Sequence, residues 1–216
     1  MDASPAALIR KPAKERSRDR VLSDAEIRAV WHAGGSLGPF GRCVRFMLAN
    51  GQRRTECGSM SWVEADRNAR LWRLPAGRVK ADRAHEVPLN DLALECLGEP
   101  GGGDPFVFGS TKPINSWSTS TVALRRLVAE QLPSAVPDWQ LHDLRRSVAT
   151  SLGRLNVDRI VISRILNHAD SGVTARYDRY GPDIEMVEAM DRWDCRLREI
   201  IEGKQADVVE LRGRRP

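Results

Sequence analysis

From residue 23 onward, polar and apolar positions alternate with the period of an α-helix, interrupted once by a stretch of shorter period. Ser23-Asp24-Ala25-Glu26 has the spacing of a capping box, in which hydroxyl and carboxylate satisfy each other's backbone amides. Ile27, Val30 and Trp31 then share one helical face, and Gly34-Gly35 ends it. A second helix is expected over 39–49, with Phe40, Cys43, Val44 and Met47 inward, stopping near Asn50-Gly51. A short helix is expected near 53–60. Three β-prone runs follow, Trp62-Val63, Leu71–Leu74 and His85–Leu89, separated by turn-forming segments at 66–69 and 76–82. They predict a small three-stranded antiparallel sheet. Asn90 caps a helix to about residue 98, and Glu99-Pro100-Gly101-Gly102-Gly103 breaks the chain.

The second half returns to helical periodicity. Ser118–Leu132 is one helix, ended before Pro133. Leu141–Leu155 is the next, with Leu141, Leu144, Val148, Leu152 and Leu155 as its apolar stripe. Asn156 is expected to cap a third, burying Ile160, Val161, Ile165 and Leu166. A helical turn is expected over 173–179 and a last helix from Pro182 to about Ile201. The fold class is therefore mainly α with one small antiparallel sheet, over residues 21–202. Residues 1–20, with Pro5, Pro12 and a dense basic run, read as a linker or arm, and 203–216 as a polar tail.

Charge adds a direction to this picture. The formal net charge of +5 favours a polyanionic partner, weakly by itself. Its distribution says more, since Arg and Lys crowd at 10–20, 42–54, 78–83 and 145–146 beside small or polar residues. No apolar run approaches the roughly 18 residues of a membrane span, and the first residues offer no secretory signal, so a cytoplasmic protein is expected. Cys43, Cys57, Cys96 and Cys195 are scattered, without a CxxC pair or Cys/His cluster. They read as reduced, mostly buried thiols, and neither a metal nor another cofactor is expected.

Four fragments carry candidate chemistry. They are Gly51-Gln52-Arg53-Arg54-Thr55-Glu56, then Lys80 in a β-turn, then Leu141-His142-Asp143-Leu144-Arg145, and finally Leu166-Asn167-His168 with Tyr177 nine residues on. Each alone has a bland explanation: a solvated R-x-x-E pair, a turn lysine, a structural histidine, a packed tyrosine. Attack of a side-chain hydroxyl on a phosphodiester builds negative charge on the nonbridging oxygens, which fixed cations and donors stabilise. Arginine suits that task because its planar fork donates two hydrogen bonds and stays charged. His142 and Arg145, three apart on a helix, reach the same side of it.

In this order the fragments resemble the tyrosine recombinases, the phage integrase family, over roughly residues 21–200. The resemblance implies double-stranded DNA as partner and strand cleavage through a covalent 3′-phosphotyrosine without a metal. It implies that Arg53 and Arg145 clamp the scissile phosphate, that Tyr177 is the nucleophile, and that His142 moves a proton to or from it. It further implies that His168 donates to the phosphate, that Lys80 protonates the 5′-oxygen leaving group, and that Glu56 braces an arginine. Lys112 is a lesser rival for Lys80, and Tyr180 lacks the spacing from His168. Arg78 and Arg83 are read as contacts to DNA, while Arg54 and Arg146, turned about 100° away on a helix, read as surface residues.

The chain departs from the family pattern at Asn167, where glycine is commonest, and its first residues look like a linker in place of the family's N-terminal DNA-binding domain. An apolar stripe on the last helix (Ile184, Val187, Met190, Trp193, Leu197, Ile200) resembles a segment that docks on a neighbouring subunit, which would make the protein a homo-oligomer on DNA. Three alternatives stay open. They are a non-catalytic DNA-binding relic of the same fold, a topoisomerase-like nicking-closing enzyme, and, more distantly, an RNA- or nucleotide-binding module. No Gly-rich phosphate loop supports the last.

Overall fold

Capping chemistry starts the first helix where the pattern places it. In the computed structural model, which describes residues 19–79, 83–101, 103–168 and 184–204, α1 spans Asp24–Gly34. The Glu26 amide donates to Ser23 Oγ (3.3 Å) and the Ser23 amide to Glu26 Oε2 (2.8 Å). Helix α2 (Gly38–Asn50) is the hub, packed against α1 and against α4 (Asp91–Leu97), α6 (Leu141–Arg154) and α8 (Ile184–Glu202). Its Val44, Phe46 and Leu48 are wholly buried. Gly51 ends α2 with φ +71°, the left-handed conformation that glycine adopts freely. A β-carbon there would stand 3.0 Å from Val148 and 3.1 Å from Leu166, so the turn after α2 lies directly on α6 and its successor.

The sheet order is β1-β2-β3, all antiparallel, with β1 Ala65–Asp66, β2 Leu71–Leu74 and β3 His85–Pro88. Trp72 and Leu74 point inward from β2, and Trp72 meets Phe46 of α2 at 5.6 Å between ring centres. The first strand corrects the expectation at Trp62-Val63. Residues Trp62–Glu64 form a 3-10 turn, and the strand begins one residue after it. The cause is Glu64, whose carboxylate turns inward to accept from the Ser61 amide (3.3 Å), the Trp72 indole (3.1 Å) and the Arg78 guanidinium. Val63 is left 96% exposed.

Helices α3 (Arg54–Gly58), α5 (Trp117–Glu130) and α7 (Arg159–Ile165) complete the described elements. Two details of α7 differ from expectation. Asn156 does not cap it; with φ +57° it closes the end of α6, a role Asn tolerates because it populates the left-handed region. Asp158 is the cap, accepting from the Ile160 amide at 2.7 Å. Ile160 is 52% exposed, since it begins α7 on the side away from the core, whereas Val161, Ile165 and Leu166 are buried. In α8, Met190, Trp193, Leu197 and Ile200 join the core of the same chain, while Ile184 and Val187 stay 76% and 40% exposed. The turn expected over 173–179 lies outside the described residues. Among those described, no helix is long and apolar enough to cross a membrane.

Candidate active site

Two of the predicted residues, Arg53 and Arg145, meet at the end of α7. A helix leaves its last carbonyls without intrahelical donors, and cationic side chains both satisfy them and complement the negative pole of the helix. Here three successive carbonyls are served by side chains from other elements. Ile165 O takes Gln52 Nε2 at 2.7 Å and lies 3.2 Å from His85 Nε2. Leu166 O accepts from Arg145, and Asn167 O accepts from Arg53 Nη2 at 3.1 Å. Arg145 also donates to Gly51 O at 3.0 Å, which ties the α2–α3 turn into the same knot.

Arg53 stands just before α3 in extended backbone and not inside the helix. Glu56, itself buried, accepts from the Arg53 amide (3.3 Å) and from its guanidinium (3.1 Å). Glu56 thus contacts both the backbone and the guanidinium of Arg53. Arg145 comes from the first turns of α6 and is only 4% exposed. Burial, and then repulsion from Arg53, pushes its guanidinium down to about 10, with Glu56 opposing the shift. A guanidinium held charged with two neutral carbonyls as its hydrogen-bond acceptors and a second cation nearby is a poor stability device. It is a good receptor for an anion.

His142 lies one helical turn before Arg145, at the surface of a cleft of about 590 Å³ that also reaches Arg53. Loss of hydration, then the guanidiniums of Arg145, Arg146 and Arg53, hold its imidazolium below the ordinary histidine range, with Asp143 opposing. A neutral imidazole beside three guanidiniums is equipped to accept a proton.

The remaining predicted residues divide. His168 follows Asn167, and its backbone amide donates to Ser163 O at 3.0 Å, but its side chain lines a separate groove between α6 and α7. Asn167 has φ +47°, so the turn before His168 requires the left-handed conformation, which glycine and asparagine share. Arg78 is turned inward: it donates to Glu64, to Glu56 O (3.0 Å) and to Ser59 Oγ (2.7 Å). Arg83 is exposed beside the hairpin turn. Lys80 and Tyr177 lie outside the described residues. Gln52, wholly buried, and His85 reach these carbonyls with no motif to mark them; a side chain whose role is to hold backbone carbonyls leaves no spacing signal. Three cysteines are buried and Cys195 is exposed, all as free thiols. Among the described residues, no group of His, Cys, Asp or Glu is placed to hold a metal ion.

Residues 36–181 match the phage integrase family. The chain is 31% identical to the prophage integrase IntA of Escherichia coli K12 over 160 residues, 70% of this chain and 37% of that protein. It is 24% identical to the integrase of Salmonella phage P22 over 188 residues, 82% of this chain and 48% of the other. The chain thus spans well under half of one relative and about half of the other. Two solved structures share its fold. The integrase of the Tn1549 transposon, in complex with circular intermediate DNA, aligns with a TM-score of 0.55 at 14% identity, over 81% of this chain and 65% of that one. The XerA recombinase aligns with a TM-score of 0.55 at 21% identity, over 89% and 68%. The match extends across both halves of the arginine knot, and the chain belongs to the phage integrase family, its fold being that of the tyrosine recombinase catalytic domain.

Proposed function

We propose that the chain is the catalytic domain of a site-specific recombinase that cuts and rejoins double-stranded DNA through Tyr177, in the cytoplasm on nucleoid DNA. The observation that carries this reading is the pairing of Arg53 and Arg145 on the carbonyls of Leu166 and Asn167. Two guanidiniums from distant elements aim at one point on the path to His168, as a phosphate clamp requires. In the reaction, Tyr177 Oη attacks phosphorus and its proton passes to His142. The P–O5′ bond breaks, Lys80 protonates the departing oxygen, and the phosphate remains on Tyr177 as a 3′-phosphodiester. Arg53 and Arg145 hold the nonbridging oxygens, with His168 as the expected further donor, and the fixed cations supply the positive charge that a metal supplies elsewhere. Glu56 keeps Arg53 in place. Arg83 contacts the DNA backbone. Arg78, given its inward contacts, serves the hairpin more directly than the DNA.

We further propose assembly of copies on DNA through α8. The exposed Ile184 and Val187 are its candidate contact, because the rest of its apolar stripe is spent on its own core.

A nicked suicide duplex tests the chemistry. The full chain should form a covalent adduct through a 3′-phosphate without added metal, and Tyr177→Phe should form none. Arg53→Ala and Arg145→Ala should abolish the adduct while retaining salt-sensitive binding. An adduct that survives Tyr177→Phe, or one that needs Mg²⁺, would overturn the reading.

A further inference from the structure

Building on the reading of this cleft as a DNA phosphate site, we propose that Arg54, lying over Trp117, binds a second backbone phosphate next to the scissile one on the same strand. The cleft that exposes Arg53 and His142 continues past them to Arg54, Trp117, Ser118 and Thr121, and no Asp or Glu lines it. The arginines around it differ in how they are engaged. Arg53 has Glu56, Arg146 has Asp143 at 3.8 Å, and Arg125 is held by Asp138 at 3.4 Å and by the Trp139 carbonyl. Arg54 has no hydrogen-bond acceptor or ion-pair partner among the described residues. It lies over the Trp117 indole, its guanidinium carbon 5.4 Å from the ring centre.

That geometry matters because a cation lying over an aromatic ring is held without using a hydrogen-bond acceptor, so its N–H groups remain free to donate. The platform is itself fixed by packing. Trp117 meets Phe40 edge-on at 5.8 Å, and it lies so close to Gly58 that a β-carbon there would come within 2.2 Å of the indole. Glycine at 58 is what lets the ring lie against α3. The neighbouring arginines then diverge: Arg53, in extended backbone, reaches toward Asn167, and Arg54, the first residue of α3, reaches toward α5. Two adjacent residues of one cleft wall thus send cationic forks in different directions, Arg53 toward the path to His168 and Arg54 toward α5, which suits successive phosphates of one strand. Ser118 and Thr121 add hydroxyl donors on the α5 wall.

The test is binding, measured by fluorescence anisotropy on the full chain carrying Tyr177→Phe, so that covalent trapping does not intervene. Duplexes carry one neutral methylphosphonate at each of the phosphates flanking the scissile position. At one flanking position, neutralisation should weaken binding about tenfold when Arg54 is present and less than about twofold in Arg54→Ala, as expected for one charge-assisted hydrogen-bonded contact. Arg54→Ala should also lower the slope of log affinity against log salt by about one. Equal weakening of both proteins at every position overturns the proposal, as does an Arg54 dependence that follows base substitution with the phosphates unchanged. The readout is independent of cleavage. An adduct without this coupling removes the second site alone, and coupling without an adduct removes the catalytic reading alone.

Discussion

At the scale of residues, the site is built from groups whose neighbours oppose their own folded-state preference. Arg145 is buried beside another arginine, and His142 loses hydration beside three. The direction at His142 has a measurable consequence. Its folded value lies below the ordinary one of about 6.5, so the imidazole stays neutral to lower pH than an exposed histidine, and with it the proton acceptor proposed for Tyr177. The acid limb of single-turnover cleavage at subsaturating DNA should accordingly fall below about pH 6.5, and His142→Gln should slow cleavage and remove that limb. A limb unchanged in His142→Gln would assign it to another group. The sign for folding follows from the same shift. The unfolded chain binds the proton more readily, so His142 costs no stability above its unfolded value and costs progressively more as pH falls through that value toward the folded one.

At the scale of elements, connections decide whether the residues meet. Gly51 is both a helix terminator and a contact surface, and its carbonyl is one of the two acceptors of Arg145. Gly51→Ala adds left-handed strain of about 1–2 kcal/mol to crowding against Val148 and Leu166. We expect a loss of about 2–5 kcal/mol in denaturant unfolding, since overpacking adds about 1–3 kcal/mol, with a drop in cleavage as that carbonyl shifts. A substitution within about 0.5 kcal/mol of wild type would show that the turn relaxes freely. Arg78 poses a choice between two roles. Its contacts with Glu64, Ser59 and the Glu56 carbonyl join the hairpin to α3, so Arg78→Ala should cost about 2–4 kcal/mol by leaving buried acceptors unpaired. The salt slope of DNA binding should stay unchanged. A slope lower by about one with stability intact would return Arg78 to the DNA. The pattern of the chain placed these elements well where a cap or periodicity marks them, as at Ser23, Asn90 and the α6 stripe. It misplaced β1 and the α7 cap because both depend on partners distant in sequence or on backbone handedness: Glu64 answers Trp72 and Arg78, and Asn156 takes the left-handed turn.

At the scale of the whole molecule, α8 is knitted into its own domain. Trp193 donates to Leu48 O at 2.8 Å, Asn90 to Met190 O at 3.3 Å, and the Leu92 amide to Asp194 at 2.8 Å. Deleting α8 therefore tests folding more than assembly. The sharper probe is Ile184→Glu with Val187→Glu, two exposed positions. Light scattering on DNA should show loss of the oligomer with an unchanged unfolding midpoint, and an unaltered mass on DNA would place any assembly contact elsewhere.

The sequence by itself determined the element types, the order of the chemical fragments and the family, because periodicity, caps and motif spacing are local properties. It also singled out Arg53 by resemblance and set Arg54 aside by the turn of about 100° between helix neighbours, a geometry that does not apply because Arg53 stands in extended backbone before α3. Only the tertiary structure decided what each arginine faces. Arg53 and Arg145 converge because α7 ends where the α2–α3 turn and α6 meet, and the unpaired carbonyls of that helix end attract the nearest cations. Arg54 acquires its platform because Gly58 admits an indole from α5. Those are contacts between residues far apart in the chain, and side-chain direction across such distances is set by packing, which no local pattern encodes.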